Sequence, residues 1–253
     1  MTVINLLKTG RTRSSLFVAC RSPRQAQNNF IRNLLKITAN LGVVLSRLSQ
    51  GMMKDMVRSK LADYIDLANE LSAAELDDFI KLMELAVQKH DPVTADHQKR
   101  VTEICGFVAD NIDLPVNRSA LIRAARLHDL GKIGWPPGLR EIRVSKKGGL
   151  REIIKTHLFL SLYFIEAVDQ LVAEADIVRF NHIFDGYPAD LEVSEMPLEA
   201  HILSAADYID ALISPRTYRR DRTLAVDYAI RLLNQRDYPR EVKSLVRMKI
   251  ENN

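Results

Sequence analysis

The stretch that decides the fold is residues 127–134, LHDLGKIG, in which a histidine and an aspartate close an apolar segment and two glycines follow. His128 lies seven residues after Leu121, so helical periodicity places its imidazole on the apolar face of a predicted helix 119–130. Burying an imidazole, or the carboxylate of the adjacent Asp129, is costly unless the group is paired or bound to a metal. The stretch therefore predicts a buried polar site.

The other histidines repeat this arrangement. All six lie between positions 90 and 201, and four fall on apolar faces of predicted helices. One such histidine is usually a satisfied core residue, but four on consecutive helices are explained more simply by a shared metal site. Imidazole and carboxylate ligands suit Fe, Mn, Zn, Co or Ni. The candidate ligands from this pattern are His97, His128, Asp129, His157, His182 and Asp207.

Helical patterns dominate the rest of the chain. Its 253 residues are 47% hydrophobic, which supports a sizeable core. Two cysteines give no disulfide framework, which fits a reducing cytoplasm. No convincing alternating strand occurs, so we expect an all-α fold. The predicted helices are 72–90, 92–111, 119–130, 150–172, 174–183, 198–213, 223–234 and 239–250, with Ser72, Asp91, Ser119, Thr223 and Asp237 as N-caps.

The N-terminal part differs in charge from the remainder. Residues 1–50 carry eight Lys and Arg and no acidic residue, and because the whole chain carries +4, residues 51–253 carry −4. Three interpretations stay open: a transit-peptide-like segment, a true start at Met52 or Met53, or a basic helix contacting anionic lipid or nucleic acid. We expect residues 1–89 to form a helical extension, with a homodimer through its helices as a further expectation.

Four segments together resemble a known family. Residues 127–132 resemble the His-Asp motif of HD-superfamily phosphohydrolases, in its His-Asp-x-Gly-Lys form. The remaining segments resemble the HD-GYP subfamily: its first-histidine segment, a shortened HHExxDGxGYP motif, the late aspartate helix and the arginine-bearing end. They are residues 91–97 (DPVTADH), 181–188 (NHIFDGYP), 206–212 (ADYIDAL) and 216–219 (RTYR), in the family's order.

This resemblance implies an HD-superfamily helical bundle over residues 90–253 and a bacterial signalling enzyme that hydrolyses cyclic di-GMP with divalent metal ions. One metal ion would bind His97, His128, Asp129 and Asp207, and the other Asp129, His157, Asn181 and His182. Because a carboxylate can bridge two cations, Asp129 is the natural bridge, and Lys132 would contact the scissile phosphate. The substrate-binding residues would be Gly186, Tyr187, Pro188, Asp210, Arg216 and Arg219.

Departures from the family pattern bear on activity. Asn181 replaces an imidazole ligand with a weak amide, Ile183 stands where the motif has Glu, and the loop between His182 and Tyr187 is three residues shorter. Val93 replaces the acidic residue that some relatives use for a third metal ion, so we expect two, of Fe, Mn or another transition metal. The alternatives are a phosphohydrolase acting on another nucleotide or phosphate ester, and an impaired domain that binds cyclic dinucleotide without turnover.

Overall fold

A computed structural model describes residues 23–39, 41–136, 149–187, 190–214 and 222–252. Within these residues the chain is helical and contains no strand, which confirms the all-α prediction. The α-helices are α1 (Pro23–Thr38), α2 (Leu41–Leu45), α3 (Gln50–Asn69), α4 (Ala73–His90), α5 (Pro92–Asn111), α6 (Arg118–Leu127), α7 (Gly149–Ile165), α8 (Val172–Arg179), α9 (Leu198–Ile213), α10 (Arg222–Gln235) and α11 (Arg240–Glu251). The 3₁₀ turns are η1 (Leu130–Gly134), η2 (Asp169–Leu171), η3 (Ile183–Asp185) and η4 (Val193–Glu195).

The chain divides into two compact units, and the first comprises the residues up to Ala95 together with Leu127–Val172. Its core is built on aromatic contacts between four helices. The ring of Phe30 lies 5.0 Å from that of Tyr64 and 5.9 Å from that of Phe79, which in turn stacks on Phe164 at 6.3 Å. The turn η1 packs against α1, α2, α4 and α7, so this unit fixes the His-Asp segment.

The second unit comprises Asp96–Arg126 and the residues from Ala173 onward. Here α9 packs against α10 and α11, and its buried positions include Ile202, Leu203 and Ile209. A buried carboxylate, Glu174, accepts a hydrogen bond from the Arg123 guanidinium at 2.6 Å. This pairing ties α8 to α6 within the unit.

Local capping signals fix several helix boundaries. Ser72 and Glu75 form the predicted capping box at the start of α4. The Asp91 carboxylate accepts hydrogen bonds from the backbone N–H of Val93 at 3.1 Å and from the Thr94 hydroxyl at 2.8 Å, which starts α5 as predicted. Three other predicted caps are wrong. Asn117, not Ser119, caps α6 through the Ala120 N–H, while Thr223 lies inside α10 and Asp237 precedes the first residue of α11 by three positions.

Two predicted helices are shorter than their apolar patterns. The helix predicted over 119–130 ends at Leu127, and the one predicted over 150–172 ends at Ile165. Both patterns continue into 3₁₀ turns, which keep apolar side chains buried without continuing the α-helix. As a result, His128 and Asp129 lie on a turn at the end of α6. A third predicted helix, 174–183, also ends early, at Arg179, so that His182 follows α8 instead of lying within it.

The N-terminal helices belong to the first unit's core. Phe30, Leu34, Leu41 and Leu45 are buried, and a side chain added at Gly42 would meet the Thr156 hydroxyl at 2.9 Å. A start at Met52 or Met53 would therefore remove part of this core. The division of the chain at residue 90 stays a prediction. No helix among the described residues is both long and apolar enough to cross a membrane.

Candidate metal centre

The first unit holds a carboxylate flanked by imidazoles. Asp129 and His128 are each 1% exposed, and His157 reaches them from α7 at 3% exposure. His128 Nε2 lies 3.5 Å from Asp129 Oδ2, and His157 Nε2 lies 3.5 Å from Asp129 Oδ1. Both separations exceed a normal hydrogen bond. Two imidazole nitrogens and two carboxylate oxygens thus face one another at the spacing of groups that share a bound ion.

The backbone after Asp129 approaches α7 more closely than a side chain would allow. A Cβ added to Gly131 would lie 2.0 Å from the carbonyl oxygen of His157, and the Gly131 N–H donates to the Ser161 hydroxyl at 2.8 Å. This contact explains the glycine of the His-Asp-x-Gly-Lys motif. It presses the turn onto the helix that carries His157 and so sets the distance between Asp129 and His157.

Lys132 turns back onto the same carboxylate. Its ammonium donates a hydrogen bond to Asp129 Oδ2 and lies 5.5 Å from the centre of the Trp135 ring. The side chain is 17% exposed. Lys132 therefore combines contact with the buried carboxylate and partial access to solvent.

The second unit holds another histidine between two carboxylates. His97 Nε2 lies 2.9 Å from Asp207 Oδ1, and His97 Nδ1 lies 2.7 Å from Asp210 Oδ2. Asp207 and Asp210 are one turn apart on α9, so both reach the same imidazole. In metal sites, a histidine that binds the ion through one ring nitrogen is usually held at its second nitrogen by a carboxylate or another acceptor.

Asp210 is itself held by other groups. Arg100 donates to both of its oxygens, at 2.7 and 2.9 Å, and the Ser214 hydroxyl donates at 2.7 Å. Burial raises the pKa of Asp210, but the hydrogen bonds from His97 and Arg100 outweigh it and keep that pKa below its ordinary value. Asp210 thus remains ionised and fixes the ring of His97.

Asn181 lies against Asp207. Its Nδ2 donates to Asp207 Oδ2 at 2.8 Å, while its backbone carbonyl accepts from the Ser204 hydroxyl at 2.9 Å. The amide oxygen Oδ1 is buried and accepts no hydrogen bond from any residue that the structure describes. A buried acceptor of this kind requires a partner, and the described part of the chain does not supply one.

The segment after Asn181 carries His182 and the substrate-loop candidates. His182 Nδ1 lies 3.1 Å from Asp185 Oδ2, and the imidazole stacks on the Tyr187 ring at 4.9 Å between centres. Gly186 adopts a left-handed backbone with φ of 81°, which glycine accepts without strain. The shortened motif therefore still turns sharply at its glycine and brings Tyr187 back onto His182.

These donors fit divalent metal ions. Imidazole nitrogens and carboxylate oxygens form the sets that bind Fe, Mn or Zn, and the buried Asn181 Oδ1 is an oxygen donor that no described residue hydrogen-bonds. The histidines of the second unit also have outer support, from Asp210 behind His97 and from Asp185 behind His182. The residues present are thus compatible with a metal centre.

The structure groups most of the predicted site residues within their own units. The first unit gathers His128, Asp129, Lys132 and His157, and the second gathers His97, Asn181, Asp207 and Asp210, with His182, Gly186 and Tyr187 on the adjoining loop. The metal and substrate roles of all these residues stay predictions. Pro188, Arg216 and Arg219 lie outside the described residues.

Sequence reasoning missed three supporting residues. Arg100 and Ser161 hold the candidate site from behind, and Arg236 contacts Asp185 from outside every recognised motif. Arg100 follows His97 by three positions, as Asp210 follows Asp207, so this helical spacing was a usable signal. Nothing in the local pattern around Arg236 indicates its role.

Residues 94–212 match the family model described as the HD domain. This part of the chain is therefore an HD domain, and the resemblance stated from the His-Asp motif is confirmed. Relatives with cyclic-dinucleotide functions narrow the resemblance to the HD-GYP type, as the motifs predicted.

One relative is the cyclic di-GMP phosphodiesterase response regulator RpfG of Xanthomonas campestris, 30% identical over 64% of this chain and 46% of its own length. A cyclic di-GMP phosphodiesterase of Thermotoga maritima is 28% identical over 59% of this chain and 44% of its own. A 3'3'-cGAMP-specific phosphodiesterase 3 of Vibrio cholerae is 27% identical over 65% of this chain and 36% of its own length. The chain thus spans less than half the length of these curated relatives. No solved structure gives a significant match.

Proposed function

We propose that this protein is a metal-dependent phosphodiesterase that hydrolyses cyclic di-GMP to the linear dinucleotide or to GMP. The observation that carries the proposal is Asp129, a buried carboxylate with one imidazole 3.5 Å from each of its oxygens and the Lys132 ammonium on one of them. The ion pair with Lys132 explains only part of this arrangement, because neither imidazole approaches Asp129 to hydrogen-bond distance although both face its carboxylate.

The proposed metal ligands are His128, Asp129 and His157 in the first unit and His97, Asn181, His182 and Asp207 in the second. Divalent ions at these ligands supply Lewis-acid polarisation of a phosphodiester and activation of a water near neutral pH. The chain's own residues fix the ligands: Asp210 orients His97, and Gly131 sets the approach of His157. Two ions, of Fe, Mn or another transition metal, are the number we propose.

Lys132 is the proposed phosphate contact. Its ammonium is partly exposed and is already directed at the edge of the ligand cluster by Asp129. A fixed cation at this place offsets negative charge that develops on the phosphate as the bond breaks. Tyr187, stacked on His182, is the proposed wall of the substrate loop, and its ring offers a face for a base.

Cyclic di-GMP is the first substrate to test and 3'3'-cGAMP the second, because both are named among the relatives' substrates. Asn181 favours one further candidate function, binding of a cyclic dinucleotide without turnover. Its amide hydrogen-bonds to Asp207, and an amide oxygen is a weaker donor to transition metals than imidazole. We propose that the protein acts in the cytoplasm. A homodimer through the N-terminal helices and contact of the basic segment with anionic lipid or nucleic acid stay predictions.

The decisive experiment uses the full chain, stripped with a chelator and reloaded with Mn²⁺ or, without oxygen, Fe²⁺. Each preparation is incubated with cyclic di-GMP or 3'3'-cGAMP, and the products are separated by chromatography. We expect metal-dependent formation of linear dinucleotide or GMP, lost with chelator and in Asp129→Ala. Binding of cyclic di-GMP by metal-loaded protein without any product would replace the hydrolase proposal with the binding function.

A further inference from the structure

We propose that Arg236 is a positioning residue for the metal centre and that it acts on His182 through Asp185. Arg236 lies beyond residues 94–212, the part of the chain that matches the HD domain, and belongs to none of the recognised motifs. The inference rests on the proposed function, because it takes His182 as a metal ligand.

A continuous chain of contacts joins Arg236 to the imidazole. Arg236 Nη2 donates to Asp185 Oδ1 at 2.8 Å, and the second oxygen of the same carboxylate lies 3.1 Å from His182 Nδ1. When Nδ1 donates its proton to Asp185, the lone pair of the neutral imidazole lies on Nε2. Asp185 thus selects the tautomer that binds a metal through Nε2, and Arg236 holds Asp185 in place.

The guanidinium is fixed by aromatic faces as well as by the carboxylate. Its central carbon lies 3.6 Å from the centre of the Tyr208 ring and 5.8 Å from that of Phe184. Tyr208 follows Asp207 on α9, whereas Phe184 precedes Asp185 on the loop. Arg236 therefore clamps the loop that carries His182 onto the helix that carries Asp207.

The electrostatics agree with this geometry. Burial raises the pKa of Asp185, but the hydrogen bonds from His182 and Arg236 outweigh it, so that the pKa of Asp185 stays below its ordinary value. The Arg236 side chain is 20% exposed. An exposed ion pair has little positional effect, but here stacking and burial restrict the guanidinium to one orientation.

This clamp compensates for the shortened loop. The loop has three residues fewer between His182 and Tyr187 than the motif, and Ile183 stands at the position of the motif's glutamate. The C-terminal segment supplies an external support instead. Outer residues that hold a metal-ligating histidine typically change metal affinity by about 10- to 100-fold when they are removed.

The test measures metal binding directly, by titrating metal-free full-length protein with Mn²⁺ in competition with a chelating dye. Arg236→Gln is expected to weaken the weaker of the two binding events by about 10- to 100-fold. The Mn²⁺ affinity of Arg236→Lys should lie between those of Arg236→Gln and the natural protein, because lysine keeps the charge but loses the planar guanidinium that stacks on the rings. Arg247→Gln is the matched control, since Arg247 is an exposed arginine that pairs with Glu251 within α11.

A double substitution separates positioning from general destabilisation. If Arg236 acts through Asp185, Arg236→Gln combined with Asp185→Asn should bind metal no more weakly than Asp185→Asn alone. Additive losses would mean that Arg236 acts by another route and would overturn the inference. So would unchanged metal affinity in folded Arg236→Gln, or in Arg236→Lys if the first variant does not fold.

A second readout does not need metal. Nitrogen-15 shifts of the His182 ring in metal-free protein report its tautomer, which Arg236→Gln should disturb and Arg247→Gln should not. If the natural protein binds no metal, the proposed function fails, and the ring shifts still decide whether Arg236 orients His182. A ring signal identical in Arg236→Gln and the natural protein would overturn the positioning role.

Discussion

Asn181 donates a hydrogen bond from its amide nitrogen to Asp207 Oδ2 at 2.8 Å and leaves its own amide oxygen buried without a hydrogen-bond donor among the described residues. An imidazole at this position would present a strong donor nitrogen to a metal. The amide instead neutralises part of the charge of a neighbouring carboxylate. The two proposed metal ions should accordingly be held with different strengths.

The first prediction concerns Asn181→His. Natural preparations should contain between one and two ions per chain, and the substitution should raise that content toward two because imidazole binds transition metals more strongly than an amide. The affinity for the more weakly bound of the two metal ions should increase by about tenfold or more, within the range of metal-site energetics. Elemental analysis after dialysis against limiting metal measures the content, and cyclic di-GMP turnover is followed on the same samples.

Asn181→Gln is the control for this experiment, since it keeps the amide and changes only its reach. Full occupancy by two ions in the natural protein, unchanged by Asn181→His, would mean that another group completes the second set. The assignment of Asn181 to a ligand position would then be wrong.

Lys132→Ala should lower turnover by about 100-fold while the metal content stays as in the natural protein. The ammonium is a donor to Asp129 and cannot ligate a metal, so its loss removes stabilisation of the phosphate but no ligand. Lys81→Ala removes an exposed lysine paired with Asp78, also three residues away, and should leave turnover unchanged. Normal turnover in Lys132→Ala would reduce Lys132 to a partner of Asp129.

Gly131→Ala should destabilise the protein by about 3 kcal/mol or more, because the new methyl group would lie 2.0 Å from a backbone carbonyl that cannot move without moving α7. Gly51→Ala is the opposite case. Nothing lies within 4 Å of an added Cβ at Gly51 on α3, so the substitution should stabilise the helix by up to about 1 kcal/mol. Urea unfolding of both variants measures the difference. A midpoint of Gly131→Ala equal to that of the natural protein would show that η1 can shift to accommodate the methyl group.

The sequence predicts the candidate ligands better than the residues that support them. His97, His157 and Asp207 are visible because helical periodicity exposes a polar residue on an apolar face. The end of α6 at Leu127 is not visible, because Leu130 and Ile133 continue the apolar pattern although the chain has changed to a 3₁₀ turn. Periodicity indicates which side chains are buried but does not indicate where the α-helix ends and the 3₁₀ turn begins.

Arg236, unlike Arg100, has no local signature. Arg236 and Asp185 are 51 residues apart, and their pairing depends on how α10 and the loop after α8 pack within the second unit. Likewise, the charge pattern of residues 1–50 indicates a separate basic segment, whereas burial of Phe30 and Leu45 makes part of it core. Composition averages over a segment and so conceals a few fully buried side chains.

Removing residues 1–51 should therefore unfold or strongly destabilise the first unit. The positions of the proposed ligands alone would indicate the opposite, since every one of them lies after position 90. The deletion would remove the Phe30 ring from Tyr64 and Phe79 and would take Leu34, Leu41 and Leu45 out of the core. Loss of even one such side chain typically costs about 2–5 kcal/mol.

A shorter deletion, of residues 1–22, provides the matched comparison, because it keeps α1 and α2 complete and removes only four of the eight basic residues. Thermal unfolding and Mn²⁺ binding of the two truncated proteins should differ sharply: the shorter deletion should retain the melting transition, and the longer should lose it together with metal binding. Retention of both properties after removal of residues 1–51 would show that α3, α4 and α7 hold the His-Asp turn without the N-terminal helices.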